Sequence, residues 1–598
     1  MQNVKRVGWL LAILLWCSFL GKAGGSNGNL LRPVSFENLY IDDFYWYFQF
    51  RSQRVNTLPV VWNRLAANGL LDGKYANKDL EDADLYHLLE TMSYIYVVEP
   101  DSLQRGRLDS LAALVPKDFS DRTEATWLKR ARKESHPLYY QMAAFYRAAL
   151  AYTRAGGQKP LLHWALLHAE RLSSALLQKP DKIKERDLHP NMVLALGDFY
   201  LLTQNDTFLK AAVLMQKQMD GKDWGQEQGL YYAAQAWIAG LTGDRKMLEE
   251  NHACWQEAVN RTMRITGGFS VRPDAVPETR FALPETMANM EWCIRLYGVT
   301  QDARCMELFE RAMYNELRAG ISFHGGYMAR NLEMDEQKEL VRDSISQVPL
   351  PQAISLIRNL AVLPDYYYAT QNDTAVYINQ YFRGEVTIKT KKLNMKLSTM
   401  SSMPWAGGFY MDIIADTPQK CTFYLRVPSW MTDDCLEGMG RYRYLPQSKQ
   451  MGLLVNGVNK PVQVENGFIR VSGTWKKDDR IIFTFLSAVR TVVPKDSTEQ
   501  PVPSLAYQRA PFVYCQEELD SILQKQCDCK VLLKESAPTR FALGLNGGVQ
   551  IIEGRLYDLK SDSLQGKTLL LTPYFARGQR GSAKTKIWFP YFTKDKLK

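Results

Sequence analysis

The chain has 598 residues, 46% of them hydrophobic and 23% charged, enough for two or more domains with large cores. Its 74 basic and 64 acidic residues leave a formal charge of +10. Spread over this length, with no long basic run, that charge argues against nucleic acid as a partner.

The first predicted element is a leader. Lys5 and Arg6 precede the apolar run Val7–Leu20, and small residues follow to Gly25. This reads as a secretory signal over residues 1–23, cleaved near Ala23. The run is too short for a comfortable membrane span, and bulky Trp16 before Cys17 argues against a lipoprotein site. No other long apolar stretch follows. The expectation is an exported protein, secreted or periplasmic, with no membrane span in the mature chain. The cysteines beyond Cys17 are scattered; Cys527-Asp-Cys529 is the one close pair, and it has no second pair at zinc-ribbon spacing.

From about residue 80 to 320 the apolar period is helical. The run 136-HPLYYQMAAFYRAALAYTRAGG-157 repeats at three and four before Gly156-Gly157 stops it. Three later units have one form: an apolar helix, a polar turn, a second apolar helix. Their turns are Asn205-Asp206, Thr242-Gly243-Asp244 and Gln301-Asp302. A spacing of roughly 40 to 60 residues suits stacked helical hairpins. Small residues such as Ala143, Ala144, Ala148 and Ala233, Ala234, Ala236 permit close inner packing. Periodicity leaves a closed ring and an open superhelix equally available.

After 364-PDYYYATQND-373 the period changes to two. Segments such as 384-GEVTIKT-390, 421-CTFYLRV-427 and 480-RIIFTFL-486 are short, β-branched or aromatic, and bounded by turn residues. Asn456-Gly457 and Asn466-Gly467 are hairpin signals. An antiparallel β sandwich is expected from residue 371 to the end. Aromatic residues are 12% of the chain, including 14 Trp; their flat faces suit sugar stacking and fill cores equally well.

Taken in order, 41-IDDFYW-46, 136-HPLYYQ-141, 189-HPNMVLAL-196, 260-NRTMRITGG-268, 283-LPET-286, 311-RAMYNELRAGIS-322, 425-LRVPSW-430 and 507-YQRAPFVYC-515 resemble glycoside hydrolase family 127, the β-L-arabinofuranosidase family. The resemblance covers nearly the whole mature chain, and no single piece is specific. It implies an (α/α)6 toroid over about residues 30–370 followed by β sandwich, and a carbohydrate substrate.

The resemblance also implies a cysteine nucleophile held on zinc by further cysteines and a glutamate, with a separate glutamate as acid/base. The glutamate-cysteine motif reads Glu285-Thr286-Met287 here, and Val348 and Pro349 stand where paired thiols are expected. Met offers a weak thioether and the other two offer no side-chain ligand. No metal or other cofactor is therefore expected. A third motif histidine has no counterpart in 224-WGQEQGLYYAAQ-235.

Glu278 matches the acid/base glutamate by its place before Arg-Phe, across a shorter loop, and becomes the expected proton donor. Glu285, at a helix start, becomes the expected second carboxylate; the helix dipole favours a carboxylate there in any case. His136 and His189 precede prolines at helix starts, and the resemblance sets them against sugar hydroxyls; capping is the other role such residues fill. Asp343, and Asp274, stand near the altered motifs as substrate contacts or alternative carboxylates. Asp82 and Asp84 suit a helix cap, and Trp46, Trp224 and Trp292 suit stacking or core. The leading expectation is an exported glycoside hydrolase acting on plant or host glycans without the zinc-cysteine mechanism. A non-catalytic carbohydrate binder is the first alternative. A polysaccharide lyase, using Tyr139, Tyr140 or His189, is the second.

Overall fold

The structure, a computed structural model, describes residues 30–69, 71, 82–115, 137–272, 283–329, 339–433, 435–436, 438–447, 450–496, 502–517, 529–545, 548–558 and 566–593. Thirteen α-helices lie among the described residues: α1 Trp46–Ser52, α2 Leu58–Ala67, α3 Asp82–Val98, α4 Ser102–Leu114, α5 Leu138–Arg154, α6 Pro160–Gln178, α7 Pro190–Thr203, α8 Asp206–Gln218, α9 Gln228–Thr242, α10 Arg245–Thr262, α11 Leu283–Thr300, α12 Ala303–Ala312 and α13 Leu350–Ala361.

One turn device builds three of the helical hairpins. Gln204 (φ 59°), Gly243 (φ 76°) and Gln301 (φ 58°) take the left-handed conformation that ends α7, α9 and α11. The next residue caps the following helix: Asn205 accepts from Thr207 N at 3.0 Å, Asp244 from Met247 N at 3.0 Å, and Asp302 from Arg304 N at 3.0 Å. The polar turns read from the sequence are these caps.

Helices α3, α5, α7, α9 and α11 pack side by side in that order, and α13 packs back onto α3. Each has a partner on its far side: α4, α6, α8, α10 and α12 for the first five, and α2 for α13. Helix α3 is buried almost all round, whereas α6 and α8 bury one face, as inner and outer layers require. Close approach needs small residues. A Cβ on Gly197 of α7 would lie 2.7 Å from the Trp237 ring of α9, and one on Gly229 of α9 would lie 2.3 Å from Asn289 Oδ1 of α11.

The inner helices are tied together by buried charge. Arg358 of α13 donates to Glu90 of α3 at 2.5 and 3.2 Å, and Arg147 of α5 lies 3.7 Å from the same carboxylate. Arg295 of α11 forks onto Asp198 of α7 at 2.6 and 3.0 Å, reaches Glu291 at 2.9 Å, and stacks on Trp237 of α9 at 4.7 Å. Burial would raise the Glu90 carboxyl, but Arg358, His87 and Arg147 hold it well below the ordinary range. All six inner helices contribute a group.

Among the described residues the strands form two open sheets, a closed one and a two-stranded hairpin, Tyr327–Ala329 with Arg342–Ser344. The first open sheet runs Arg32–Pro33, Tyr368–Gln371, Ala375–Ile378, Gln419–Arg426, Phe468–Trp475, Val464–Glu465; the second runs Val458–Lys460, Met451–Val455, Asp479–Phe485, Phe409–Ile414, Asn394–Ser401, Gly384–Lys389, Leu39–Ile41. Strands such as Gly384–Lys389 and Phe409–Ile414 alternate buried and exposed, so each sheet buries one face. Asn456-Gly457 and Asn466-Gly467 have positive φ at both residues, the geometry of tight hairpin turns.

Three features depart from the sequence reading. The segments Arg32–Pro33 and Leu39–Ile41 belong to the sheets and not to the helical region, because they pair with Tyr368–Gln371 and Gly384–Lys389. The pairing of Ala375–Ile378 with Gln419–Arg426 and that of Cys529–Leu532 with Phe589–Phe592 are parallel; a period of two does not encode strand direction. The sandwich does not continue to the end of the chain. Strands Ser504–Arg509, Phe589–Phe592, Cys529–Leu532, Val549–Asp558, Lys567–Pro573 and Phe512–Glu517 pair in sequence, and the last pairs back onto the first. This barrel has buried residues on both faces of Ser504–Arg509 and Phe512–Glu517, because one face lies against the helices.

Helix α12 joins the halves. Glu307, Glu310 and Arg311 are buried on it. Arg426, from the first sheet, donates to Glu307 at 3.1 Å and also pairs with Glu310. Arg311 reaches Glu307, Ser429 and Gln508 at 3.0 Å each and Tyr444 at 2.6 Å. Just beyond α12, Asn315 accepts from Val513 N at 2.8 Å and donates to Pro511 O at 2.9 Å. Removing one member strands a buried opposite charge. Arg426→Met is therefore expected to lower stability by about 3–5 kcal/mol, read as a shift in the denaturant midpoint; an unchanged midpoint would contradict this.

Candidate functional site

Because inner and outer helices alternate through short turns, the inner helices run in one direction and their N-termini share one end. Several residues read from the sequence, and Glu227, which was not, sit at those N-termini. Asp82 and Asp84 lie in the first turn of α3, His189 is the N-cap of α7, Glu227 immediately precedes α9, and Glu285 is the third residue of α11. Helix N-termini carry partial positive charge and favour carboxylates.

Glu285 is buried, with 3% of its surface exposed. Ser270 Oγ donates to its Oε1 at 2.5 Å, and Arg272 Nε lies 3.7 Å from the same oxygen. Its Oε2 has no hydrogen-bond partner among the described residues. Burial pushes its carboxyl above the ordinary glutamate value; Ser270, Arg272 and Arg264 oppose that, and nearby Glu316 adds to it. Glu316 is the anchor beneath. It accepts from Thr266 Oγ1 at 2.7 Å, Gly268 N at 3.1 Å and Thr286 Oγ1 at 2.6 Å, and pairs with Arg264 at 2.8 Å. The turn through Gly267 (φ 104°) admits no larger residue at Gly268, where a Cβ would lie 2.5 Å from Arg264 Nη2 and from both Glu316 oxygens.

His189 forms the other side. Its Nδ1 accepts from Asn191 N at 3.2 Å, so the proton is on Nε2, which faces Glu227 Oε2 at 3.1 Å. Tyr140 and Trp224 lie edge-on to the imidazole at 4.8 and 6.0 Å. Tyr140 OH in turn meets His87 Nε2 at 3.0 Å. The two sides are neighbours, since the Gly225–Glu227 turn packs against α11.

Glu278, His136 and Asp274 lie outside the described residues. Asp343 is in a short hairpin strand, opposite Met328. Trp46 and Trp292 are core residues, donating to Tyr314 OH and Asn251 Oδ1, so of the three tryptophans Trp224 alone stands beside His189. His168 is buried against Tyr146 and lowered to about 4 by burial, as a structural histidine should be. Glu227 was not singled out from sequence. Its signal was there, since it precedes an inner helix just as Glu285 opens one. Ser270, Arg272 and Glu316 had no such signal.

The comparisons with known proteins agree with this architecture. Residues 47–344 match the Beta-L-arabinofuranosidase, GH127 catalytic domain; residues 375–486 match the GH127 middle domain; residues 489–590 match the glycoside hydrolase family 127 C-terminal domain. The non-reducing end beta-L-arabinofuranosidase of Bifidobacterium longum subsp. longum is 21% identical, over 88% of this chain and 92% of that protein. Among solved structures, the GH127 beta-arabinofuranosidase BT3674 superposes with a TM-score of 0.79 at 22% identity, covering 95% of this chain and 98% of that one. A GH127 beta-L-arabinofuranosidase from Geobacillus stearothermophilus T6 superposes with a TM-score of 0.73 at 18% identity, covering 93% and 100%. Matched along nearly its whole described length, the chain belongs to glycoside hydrolase family 127.

Proposed function

We propose that the protein is an exported, arabinofuranosidase-like glycoside hydrolase that works through carboxyl groups at the mouth of an (α/α)6 toroid. The packing order of the inner helices supports the toroid, and the leader Lys5–Leu20 supports export to the periplasm or beyond. The observation that carries the chemistry is Glu285: a buried carboxyl with one oxygen held by Ser270 and the other without a partner among the described residues. A carboxyl raised by burial is a stronger base near neutral pH. Glu285 activates water or attacks the sugar, and Glu278 donates the proton to the leaving oxygen. His189, held by Glu227, and Trp224 present a hydrogen-bonding edge and a flat face to the sugar.

The family's zinc does not fit the residues present. Glu285 is already engaged by Ser270 and lies beside Arg272. Met287 lines an interior cavity shared with the guanidinium-bearing Arg147 and Arg358, which oppose a divalent cation. Val348 is buried with its carbonyl bonded to Arg64 at 2.7 Å, and Pro349 caps α13. Burial pushes the thiols of Cys293 and Cys421 up to about 12 and that of Cys435 to about 11, so these are protonated and inert at neutral pH. The reading is therefore hydrolysis without a zinc-held thiolate. Stoichiometric zinc in the purified protein would overturn it.

Glu285→Gln is expected to lower kcat on a nitrophenyl arabinofuranoside panel by about 100-fold or more while the thermal midpoint stays near the wild-type value. Undiminished turnover would refute the assignment. The active form of a base is ionised, so kcat/KM should rise with pH through the raised Glu285 value. Ser270 stabilises the carboxylate and lowers that value; Ser270→Ala should move the acidic limb to higher pH. Glu227→Gln, which loosens His189, should raise KM more than it lowers kcat.

A further inference from the structure

The barrel meets the helical half at a cluster of arginines that the hydrolytic site does not use. Arg318 follows α12 and is fully buried; Arg577 follows the Tyr574–Ala576 turn of the barrel and is 3% exposed; Arg342 lies in the hairpin strand Arg342–Ser344. They are close neighbours. Arg342 Nη2 donates at 2.9 Å both to Ala319 O, next to Arg318, and to Arg577 O. Arg318 lies over the Phe575 ring at 5.5 Å and Arg577 over the Tyr574 ring at 4.1 Å. Burial, with Arg577 and Arg318, pushes Arg342 down to about 9.

Arginine does not surrender its proton in proteins, so three positive charges meet in a buried place. Among the described residues the adjacent carboxylates are mostly engaged with other donors, and Glu517 offsets only part of the charge on Arg342. Glu517 holds Gly578 N at 2.7 Å and pairs with Arg580, and Glu316 holds Arg264 and three further donors. Asp43 caps α1 through Oδ1, which accepts from Tyr45 N at 2.9 Å, and has Arg383 as its cation, while its Oδ2 is buried without a hydrogen-bond partner among the described residues. Asp343 alternates with Arg342 along its strand, so it points to the opposite face. Among the described residues several buried donors lack a hydrogen-bond partner, namely Arg318 Nε and Nη2, Arg342 Nε and Nη1, and Arg577 Nε, and the hydroxyl of Tyr45 lies against Arg318. Water would satisfy those hydrogen bonds but not the charge. Stacking on Phe575 and Tyr574 recovers part of the cost, though rings carry no net charge.

We propose that Arg318, Arg342 and Arg577, with the Tyr45 hydroxyl, form a binding site for a small inorganic anion, a halide or compact oxyanion, which locks the barrel onto the helical half. Small size follows from the burial of Arg318 and Arg577. The anion neutralises the cluster and accepts the unpartnered donors, and its binding is linked to docking of the barrel.

The test is thermal unfolding of the full chain in gluconate, exchanged at constant ionic strength for chloride, bromide or sulfate. A saturable rise of roughly 2 °C or more over a hundredfold range of the small anion is expected. The better of halide and sulfate identifies the class. Arg342→Gln should lose most of that rise, and in gluconate it should melt no lower than the wild type, because it relieves repulsion. An equal rise in Arg342→Gln, or none in the wild type, overturns the proposal. Bromide- and sulfate-soaked wild-type crystals decide the matter independently of any variant. An anomalous peak in hydrogen-bonding reach of the three guanidinium groups supports the site, and the absence of both that peak and of sulfate density after a sulfate soak overturns it.

Discussion

The architecture depends on a buried ionic contact between α12 and the sheets. Glu307, Glu310 and Arg311 leave an outer helix and end in the β half, on Arg426, Ser429, Tyr444 and Gln508. Unlike an apolar contact, such a network has one satisfied geometry, and a small slide leaves buried charges unpaired. The same helix continues to Glu316, which holds the floor under Glu285. The register between halves and the position of the candidate carboxyl are thus set by one stretch of chain, residues 307 to 318.

A second set of charges does the same among the inner helices. Glu90, Arg147, Asp198, Glu291, Arg295 and Arg358 link the inner helices where alanines and glycines let them approach. Above this belt, the helix N-termini gather Glu285, His189 and Glu227. A carboxyl there is pulled both ways, since helix dipoles and Arg272 favour its charge while burial opposes it. For Glu285 burial prevails, and its carboxyl sits above the ordinary glutamate value. The division is spatial, with paired charges between the inner helices and, at their N-termini, a carboxyl whose second oxygen has no partner among the described residues.

Three of the short motifs by which the chain resembles its family turn out to be scaffold. In 311-RAMYNELRAGIS-322, Arg311, Asn315 and Glu316 hold the interface and the floor. In 425-LRVPSW-430, Arg426 and Ser429 complete the buried network. In 41-IDDFYW-46, Asp43 caps a helix and Trp46 bonds Tyr314. Polar residues amid apolar runs mark buried networks as readily as they mark chemistry, because both require unusual groups in fixed places.

The sequence by itself determined the succession of helical and strand periods, the capped turns at Asn205, Asp244 and Asp302, the hairpins at Asn456-Gly457 and Asn466-Gly467, and the presence of Glu285 and His189 at helix starts. These are local properties, written in spacing of three to four or of two and in side chains that bond their own backbone. Only the tertiary structure decided that residues 32–41 join the sheets, that two strand pairs are parallel, that the last strands close into a barrel, and that Glu227 meets His189 while Ser270 meets Glu285. Those outcomes depend on which distant segments bury each other's surfaces and satisfy each other's charges, and neither periodicity nor capping carries that information.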